Sequence, residues 1–274
     1  MALSYGLILS DFDGTLRMSK GGISEGNVRA IKDFVAAGGV FAFCTGRMLS
    51  SIMPYAKNLG LEGLIVAYQG AVIADIASGR LLRDVRMDTE GAAQVCAYLQ
   101  SLGRHIHVYD GDDVYMNRDD DFKRYYEDVC GVRGILTGED IASFVRDKKI
   151  CPQKVLAMNA AEENAAVCEK VKALFGKRYE VTSSSEFLVE ATSFGCNKGA
   201  ALSFLSEYYK IPREKTIAVG DNYNDIPMIR AAGLGVAVAN GVEKLKEAAG
   251  FVTKTCDEDG VAYVIRKFGL GENI

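Results

Sequence analysis

The chain has 274 residues, of which 49% are hydrophobic and 25% are charged, and its formal net charge is -4 at pH 7. This length is enough for one large domain or two moderate ones with a sizeable core. The sequence lacks a basic cluster and a run of about eighteen apolar residues, which argues against a nucleic-acid-binding protein and excludes a membrane-spanning helix. Met1 to Leu9 has neither a basic region nor a long apolar stretch, so we expect no signal peptide.

The first predicted element is a buried parallel strand that contains the apolar run 7–9, ends at Ser10 or Asp11 and leads into Asp11-Phe12-Asp13-Gly14-Thr15. Open α/β sheets bind ligands at the carboxyl ends of their strands, so Asp11 and Asp13 are predicted to border a crevice. A capped turn is the alternative for this stretch alone, because Asp and Gly are common turn residues. Two close carboxylates also repel each other unless a cation lies between them.

Helices and strands alternate through the next part of the chain. Ser24 is a good N-cap for a helix. A second buried strand over 40–44 runs into Thr45-Gly46-Arg47, and a third covers 64–67 after another helix. This order of strand, helix and strand is typical of a parallel sheet with crossover helices.

The pattern changes near Leu82. Helical periods then alternate with short strands of alternating apolar and polar residues, which predicts an antiparallel sheet with one solvated face and helices on the other. We predict a second, α+β domain inserted into the first and ending near Glu190. The predicted strands are 105–109, 113–117, 154–158 and 179–182, and the predicted helices are 89–102, 119–130 and 161–175.

The parallel-sheet pattern returns after the insert. Lys198 opens a helix, and a buried strand over 216–219 ends in Gly220-Asp221 with Asn224-Asp225 close behind. The predicted fold is therefore α/β, with a Rossmann-like parallel sheet core and an inserted α+β domain. Its predicted segments are core residues 1–82, the insert 83–189 and core residues 190–274.

Three buried strands thus end in polar clusters that the sheet is predicted to bring into one crevice. Four acids cannot share one site unpaired, so a hard divalent cation is implied, above all Mg2+ with oxygen ligands and waters. Even with this cation and Lys198, simple counting leaves about one negative charge, which is relieved if one acid holds the proton that a general acid needs. The four acids are Asp11, Asp13, Asp221 and Asp225.

These motifs resemble those of the haloacid dehalogenase superfamily of phosphatases, in the Cof-like branch with a type IIB cap domain. The resemblance covers the two core segments closely and the insert only in length and pattern. Later stretches at 235–240 and 259–262 also match the branch. The four motifs occur in order as Asp-x-Asp-Gly-Thr at Asp11, Thr-Gly-Arg at Thr45, a lysine at Lys198 and Gly-Asp-x-x-Asn-Asp at Gly220.

The resemblance implies that a phosphate ester is cleaved through an aspartyl-phosphate. Asp11 would be the nucleophile, and Asp13 would protonate the leaving oxygen and then activate water. The Asp11 carboxylate, the Asp13 carbonyl and Asp221 would hold Mg2+. Lys198 would neutralise the nucleophile and the transferring group, and Asp225 would orient Lys198 or a metal-bound water, which includes it among the candidate metal-site residues.

The same resemblance implies the phosphate contacts. Thr45 and the amide of Gly46 would bind phosphoryl oxygens, with the dipole of the following helix as support. Asn224 would also contact the phosphate. Arg47 is a candidate substrate contact, and a surface ion pair is its alternative.

Two stretches depart from the branch. The third strand usually ends in Asn-Gly-Ala, whereas this chain has Gln69-Gly70-Ala71, and no role is assigned to Gln69. Gly195-Cys196-Asn197 replaces the more usual Gly-Val-Ser before the lysine. Seven cysteines without a Cys-x-x-Cys pair predict reduced, mostly buried thiols in a cytoplasmic protein, and Cys196 is interpreted as a small neutral filler.

The remaining polar and aromatic features have ordinary structural interpretations. His105 and His107 share one face of a strand and are too few for a metal site, so a polar sheet face is favoured over substrate contact. The acidic run at 119–121 suits a helix N-terminus. The tyrosine pairs at 125–126 and 208–209 favour packing between elements.

The sequence thus predicts a cytoplasmic, Mg2+-dependent phosphatase for small phosphorylated metabolites, foremost sugar phosphates, with no nucleic-acid or membrane partner. One alternative is a phosphomutase or phosphotransferase with the same nucleophile. Another is a non-catalytic binder of phosphorylated metabolites, against which the intact Asp11, Asp13, Lys198 and Asp221 argue, since a binder has no need of a general acid. The substrate and the oligomeric state do not follow from the sequence.

Overall fold

The computed structural model describes residues 3–274, so the first two residues of the predicted core lie outside the described range. The chain divides into two compact units, here called the first and the second unit. The first unit contains the residues up to Thr45, Met53–Leu82 and Asn197–Ile274, and the second contains Gly46–Ile52 and Arg83–Cys196.

Strands and helices alternate along most of the chain. Up to the middle of the second unit they are β1 (Leu7–Ser10), α1 (Glu25–Ala36), β2 (Val40–Phe43), α2 (Leu49–Asn58), β3 (Leu64–Ala67), β4 (Val72–Asp75), β5 (Leu81–Asp84), α3 (Thr89–Ser101), β6 (His105–Asp110), β7 (Asp113–Met116), α4 (Asp121–Cys130), β8 (Gly134–Leu136) and α5 (Ile141–Asp147). They continue as β9 (Lys154–Met158), α6 (Ala161–Phe175), β10 (Tyr179–Ser185), β11 (Leu188–Ser193), α7 (Lys198–Tyr208), β12 (Thr216–Gly220), α8 (Ile226–Ala231), β13 (Leu234–Ala237), α9 (Glu243–Ala248), β14 (Phe251–Val252) and α10 (Gly260–Val264).

A five-stranded parallel sheet forms the centre of the first unit, in the order β14-β13-β12-β1-β2. Leu7 pairs with both Thr216 and Val40, so β1 lies between β12 and β2. All four residues of β1 are buried, as expected for a parallel strand covered on both faces. The predicted parallel sheet core is confirmed, and the strands that carry the three polar clusters are neighbours in it.

The third predicted strand forms, but its pairing differs from the prediction. β3 pairs with β4 in an antiparallel manner within a separate three-stranded sheet, β3-β4-β5. It also joins the end of β2 through a parallel bridge between Cys44 and Val66, and Val66 packs in one buried cluster with Leu7 and Ala42 of the parallel sheet. The connection after β3 is the short turn Tyr68–Gly70, and a connection this short reverses the chain, because a parallel crossover needs a dozen or more residues.

The second unit contains a six-stranded sheet in the order β10-β11-β9-β6-β7-β8. Its apolar face includes Ile106, Val108 and Val155, which join a buried cluster with residues of α3, α5 and α6. The predicted α+β insert is therefore confirmed. The predicted antiparallel pairing holds for every pair in this sheet except β7 and β8, which run parallel; β8, α5 and β11 were not predicted. β8 has only three residues and β11 mixes apolar with polar side chains, so neither gives a strong pattern.

The other face of this sheet was predicted to be solvated, and this was wrong. His107 is fully buried and its ring lies 4.5 Å from that of Tyr126 on α4. The Nε2 atoms of His105 and His107 lie 2.8 Å apart, and burial lowers the pKa of both imidazoles, most strongly that of His107. The predicted helix cap on α4 is present, since the side chain of Asp120 accepts a hydrogen bond from the Lys123 amide. None of the helices between residues 3 and 274 is long and apolar enough to cross a membrane.

Candidate active site

Asp11 lies at the carboxyl end of β1, where its amide donates a hydrogen bond to the Val219 carbonyl of β12. Lys198 begins α7, and the N-cap side chain of Asn197 fixes that helix start by accepting from the Ala200 amide. The Lys198 ammonium is fully buried and donates to Asp11 Oδ1 at 2.5 Å. The backbone direction of β1 and the start of α7 therefore bring the Asp11 carboxylate and the Lys198 ammonium together.

Asp225 holds the other side of the lysine. Its Oδ1 accepts from the Lys198 ammonium at 2.6 Å, and its Oδ2 accepts from the backbone amides of Asp221 and Asn222 at 2.9 Å each. A Cβ at Gly220 would lie 2.5 Å from the Asp225 Cβ, so glycine makes room for this carboxylate. Both oxygens of Asp225 are thus engaged by donors of the chain, which favours the orientation of Lys198 as its role.

Asp221 faces the turn that follows Asp11. The Thr15 hydroxyl donates to Asp221 Oδ1 at 2.9 Å, and a Cβ at Gly14 would lie only 2.5 Å from Asp221 Oδ2. Gly14 also has a φ of +76°, in the left-handed region that favours glycine.

The side chain of Asn240 holds this turn from the other side. Its Nδ2 donates to the Gly14 carbonyl at 2.7 Å, and its Oδ1 accepts a hydrogen bond from the backbone amide of Cys256. Asn240 therefore fixes this turn, and the only sequence signal for it was the branch match at 235–240.

The carboxylates of Asp11, Asp221 and Asp225 offer oxygen atoms that lie within 4.8 Å of one another. Burial is the main cause that raises the pKa of Asp11; Lys198 opposes it, whereas Asp225 and Asp221 add to it. Burial and the neighbouring Asp225 raise the pKa of Asp221 to about 7. Burial also acts to lower the pKa of Lys198, but Asp11 and Asp225 outweigh it and raise that pKa. Three acids against one lysine leave a surplus of negative charge, and this all-oxygen donor set could hold a hard divalent cation.

Asp13 is placed differently from these three acids. Its side chain is 43% exposed, and Arg17 Nη1 lies 3.7 Å from its Oδ1. Among the described residues, the Asp13 carboxylate lies outside the group that could hold a metal ion. This exposure leaves the Asp13 carboxyl accessible to solvent, as a group that exchanges protons with a leaving oxygen or a water must be.

Thr45 and Asn224 are the candidate phosphate contacts in the first unit, and both are buried. The backbone carbonyl of Thr45 accepts a hydrogen bond from the backbone amide of Gln69 at 3.0 Å. The Asn224 amide group donates to Gln69 Oε1 at 3.1 Å. Gln69, which was assigned no role from the sequence, therefore contacts both candidate residues.

Gly46 and Arg47 belong to the second unit. The Lys154 ammonium donates to the Gly46 carbonyl at 2.6 Å. Arg47 is only 5% exposed, and it donates to the Ser51 hydroxyl and to the Val129 carbonyl. This burial contradicts a surface ion pair as the role of Arg47, because burial removes the solvated environment which that interpretation assumed.

The cysteines show no sign of a catalytic role. All seven lie within the described range and are free thiols, and four of them are buried. The Cys196 Sγ lies 3.6 Å from Arg83 Nη2. Burial raises the pKa of the Cys196 thiol, which keeps it neutral and fits its interpretation as a filler.

Known proteins resemble this chain over nearly its whole length. A phosphatase of Bacillus subtilis is 30% identical, with 95% of this chain and 98% of the relative covered. A second Bacillus subtilis protein, 5-amino-6-(5-phospho-D-ribitylamino)uracil phosphatase, is 29% identical, with 97% and 98% covered. A solved sugar phosphatase of haloacid dehalogenase subclass IIB covers 96% of this chain and 98% of its own, with a TM-score of 0.81 at 20% identity, which shows a common fold.

The family comparison agrees with these similarities. The model of the haloacid dehalogenase-like hydrolases matches residues 8–265, which include all four motifs and the insert between them. The resemblance inferred from the motifs and the prediction of a phosphatase of this superfamily are therefore confirmed. The chain belongs to the haloacid dehalogenase-like hydrolases.

Proposed function

We propose that this protein is a cytoplasmic, Mg2+-dependent phosphatase that hydrolyses small phosphate monoesters, foremost sugar phosphates, through an aspartyl-phosphate. The observation that carries the proposal is the buried contact of Lys198 with Asp11 and Asp225, beside Asp221 at the same sheet edge. A fixed lysine on one oxygen of a buried carboxylate leaves the other oxygen in a defined position. Phosphoryl transfer depends mainly on such positioning and on charge stabilisation.

Asp11 is the proposed nucleophile. Its carboxylate oxygen attacks phosphorus, the bond from phosphorus to the ester oxygen breaks, and Asp13 gives that oxygen a proton. In the second step Asp13 takes a proton from a water that attacks the aspartyl-phosphate, which releases inorganic phosphate and restores Asp11. Lys198 stays protonated throughout, since the neighbouring carboxylates raise its pKa.

Asp11 and Asp221, with the carbonyl of Asp13, are the proposed ligands of Mg2+. Asp225 has both oxygens bonded to donors of the chain, so we assign it to the support of Lys198. The raised pKa values of Asp11 and Asp221 fit a site that lacks positive charge. When bound, the cation shields the charge between the nucleophile and the phosphoryl oxygens.

Thr45, the Gly46 amide and Asn224 are the proposed phosphate contacts, and Arg47 is a proposed substrate contact. The second unit is proposed to be the cap domain of the superfamily. The substrate class is supported by the relatives, one of which is a phosphatase of a ribityl compound and another a sugar phosphatase. The free thiols of all seven cysteines support a reducing compartment.

The test is the release of inorganic phosphate from p-nitrophenyl phosphate, with Mg2+ or with a chelator, followed by a panel of sugar, polyol and nucleoside phosphates. We expect Mg2+-dependent release and a preference for sugar or polyol phosphates. Release no greater than that of Asp11→Asn would contradict the proposal. Transfer to a sugar acceptor without net release would point to a mutase, and binding without turnover to a metabolite-binding protein.

A further inference from the structure

Three consecutive residues after β3 have left-handed backbones. Tyr68, Gln69 and Gly70 have φ values of +51°, +59° and +101°. Two of them are not glycine, and the left-handed region is unfavourable for such side chains. Unusual backbone of this kind persists only where the surrounding structure determines it, and it is concentrated at functional sites.

Neighbouring segments of the first unit hold this turn in place. The backbone amide of Gln69 donates to the backbone carbonyl of Thr45 at 3.0 Å. Within the turn, the backbone amide of Ala71 donates to the Tyr68 carbonyl, also at 3.0 Å. A Cβ at Gly70 would lie 2.8 Å from the Asn197 carbonyl oxygen, directly before Lys198, so the turn and the start of α7 are in close contact. The backbone of the turn is thus fixed by the segments that carry two of the four motifs.

The fixed backbone directs the Gln69 side chain to the fourth motif. Gln69 Oε1 accepts a hydrogen bond from Asn224 Nδ2 at 3.1 Å, and both residues are buried. Asn224 Oδ1 is also buried, and it has no hydrogen-bond partner among residues 3–274. A buried amide oxygen without a donor is costly, so this amide group is only partly satisfied by the protein itself.

We infer that Gln69 is a positioning residue that orients the Asn224 amide for phosphate binding. Gln69 takes one of the two Nδ2 hydrogens, and the second is left to donate to a phosphoryl oxygen. A donor of the bound ligand or a water completes the bonding of Oδ1. The inference rests on the proposed function, in which Asn224 contacts the phosphate.

A double-mutant cycle tests whether Gln69 acts through Asn224. The variants are Gln69→Met, which keeps the size of the side chain and removes the acceptor, Asn224→Ala, and the two combined. Each is measured for KM and kcat with an aryl phosphate and for the affinity of inorganic phosphate by calorimetry. Thermal unfolding verifies that each variant is folded.

We expect Gln69→Met to weaken phosphate affinity and to raise KM by about fivefold to tenfold, the scale of one hydrogen bond near a charge, while kcat changes less. In the Asn224→Ala background the same substitution should have no further effect, because its partner is absent. Gln69→Glu, which keeps the acceptor, should leave the Asn224 amide oriented but repel phosphate. Phosphate binding by this variant should therefore be weak, and added salt should restore little of it, because a buried charge is screened much less than an exposed one.

Two results would overturn the inference. The first is an unchanged phosphate affinity in Gln69→Met. The second is an equal loss with and without Asn224, which would mean that Gln69 acts through the backbone of the turn. If the wild-type protein binds inorganic phosphate but hydrolyses no ester, the proposed function fails while the affinity cycle still decides the role of Gln69. If it binds no phosphate, both fail.

Discussion

Each unit of this protein buries a lysine against carboxylates, but the two arrangements differ in charge balance. In the first unit, Lys198 contacts Asp11 and Asp225, and Asp221 lies beside them. If all three acids are ionised, one lysine leaves two negative charges unbalanced. The raised pKa of Asp221, about 7, follows from burial with this surplus of acid.

In the second unit, Lys154 is as deeply buried as Lys198 and pairs with one acid. Its ammonium lies 3.3 Å from Glu190 Oε2, donates to the Gly46 carbonyl and lies 4.6 Å from the ring centroid of Tyr109. The Ser184 hydroxyl donates to the other oxygen of Glu190. Here the positive charge of Lys154 and the negative charge of Glu190 cancel. The Gly46 carbonyl and the Ser184 hydroxyl, which are neutral, make the further hydrogen bonds to these two side chains.

The difference teaches how a buried charged cluster can be interpreted. Buried ions are tolerated when they are paired and hydrogen-bonded, and a balanced pair needs nothing from outside the chain. A cluster with surplus acid becomes stable only when a proton or a cation joins it. Strongly perturbed acids of this kind are typical of functional sites. We therefore assign the Lys154 pair to structure and the Lys198 cluster to chemistry.

The largest effect is expected for Asp11, the proposed nucleophile. Asp11→Asn should form no phosphoenzyme and show no turnover, because a carboxamide oxygen is too weak a nucleophile to attack phosphorus. Asp13→Asn should still form phosphoenzyme with p-nitrophenyl phosphate, whose leaving group needs no proton, and should then hydrolyse it slowly. Intact-protein mass spectrometry after rapid acid quench measures both. Glu190→Gln is the matched control from the balanced pair and should form phosphoenzyme. Detection of phosphoenzyme in Asp11→Asn would refute Asp11 as the nucleophile.

The two lysines should differ in what they affect. Lys198→Met should lower kcat/KM by about a thousandfold or more, because it removes the charge that stabilises the transferring group. Lys154→Met should mainly lower stability, by about 3–5 kcal/mol, since the buried Glu190 carboxylate loses the positive charge that balances it. The double variant Lys154→Met/Glu190→Gln, which restores neutrality, should regain most of this loss.

Denaturant unfolding and steady-state kinetics separate these outcomes. The kcat of the folded double variant should stay within about tenfold of wild type, because only one hydrogen bond, to the Gly46 carbonyl, is lost near the proposed phosphate contacts. A thousandfold loss of kcat in that variant would show that the balanced pair is also part of the chemistry. The comparison between the two lysines would then lose its meaning.

The sequence predicted those parts of the site that follow from backbone direction. Asp11, Thr45 and Asp221 follow strands that were identified as parallel, and the carboxyl ends of parallel neighbours lie at one edge. Lys198 was counted as the positive charge of the site, but its catalytic role came only from the motif resemblance, because its position depends on how α7 packs. The family was also predicted from the motifs, because four motifs in a fixed order restrict the fold more than any single pattern does.

Other features were beyond a reading of local patterns. Alternation in β6 looks the same whether its polar face meets water or is buried, so the burial of His105 and His107 was not foreseen. The role of Gln69 depends on a left-handed backbone that few non-glycine residues adopt and on a partner 155 positions away. The antiparallel pairing of β3 with β4 was missed because a buried apolar run does not say which strands lie beside it.

The smallest expected effect is a pH dependence of metal binding that only the acid-rich cluster should show. With a pKa of about 7, Asp221 is mostly protonated at pH 6 and mostly ionised at pH 8 in the metal-free protein, whereas an unfolded aspartate is ionised at both. The metal-free native state therefore binds more protons than the unfolded state, and its stability should fall as pH rises through 7. Mg2+ needs the ionised carboxylate, so its apparent affinity should be about tenfold higher at pH 8 than at pH 6.

Thermal unfolding with and without Mg2+ at pH 6, 7 and 8 measures this linkage. The Mg2+-induced rise in Tm should grow with pH, and Asp11, whose pKa is also raised, should add in the same direction. Asp221→Asn removes the titrating group and one ligand, so its response to Mg2+ should be weak and less dependent on pH. Lys154→Met/Glu190→Gln leaves the acid-rich cluster intact and should keep the wild-type slope. An Mg2+-induced rise in Tm that is equal at pH 6 and pH 8 would mean that Asp221 is ionised at both pH values. The surplus of negative charge around Lys198 would then be balanced within the chain, as the charge of Glu190 is balanced by Lys154.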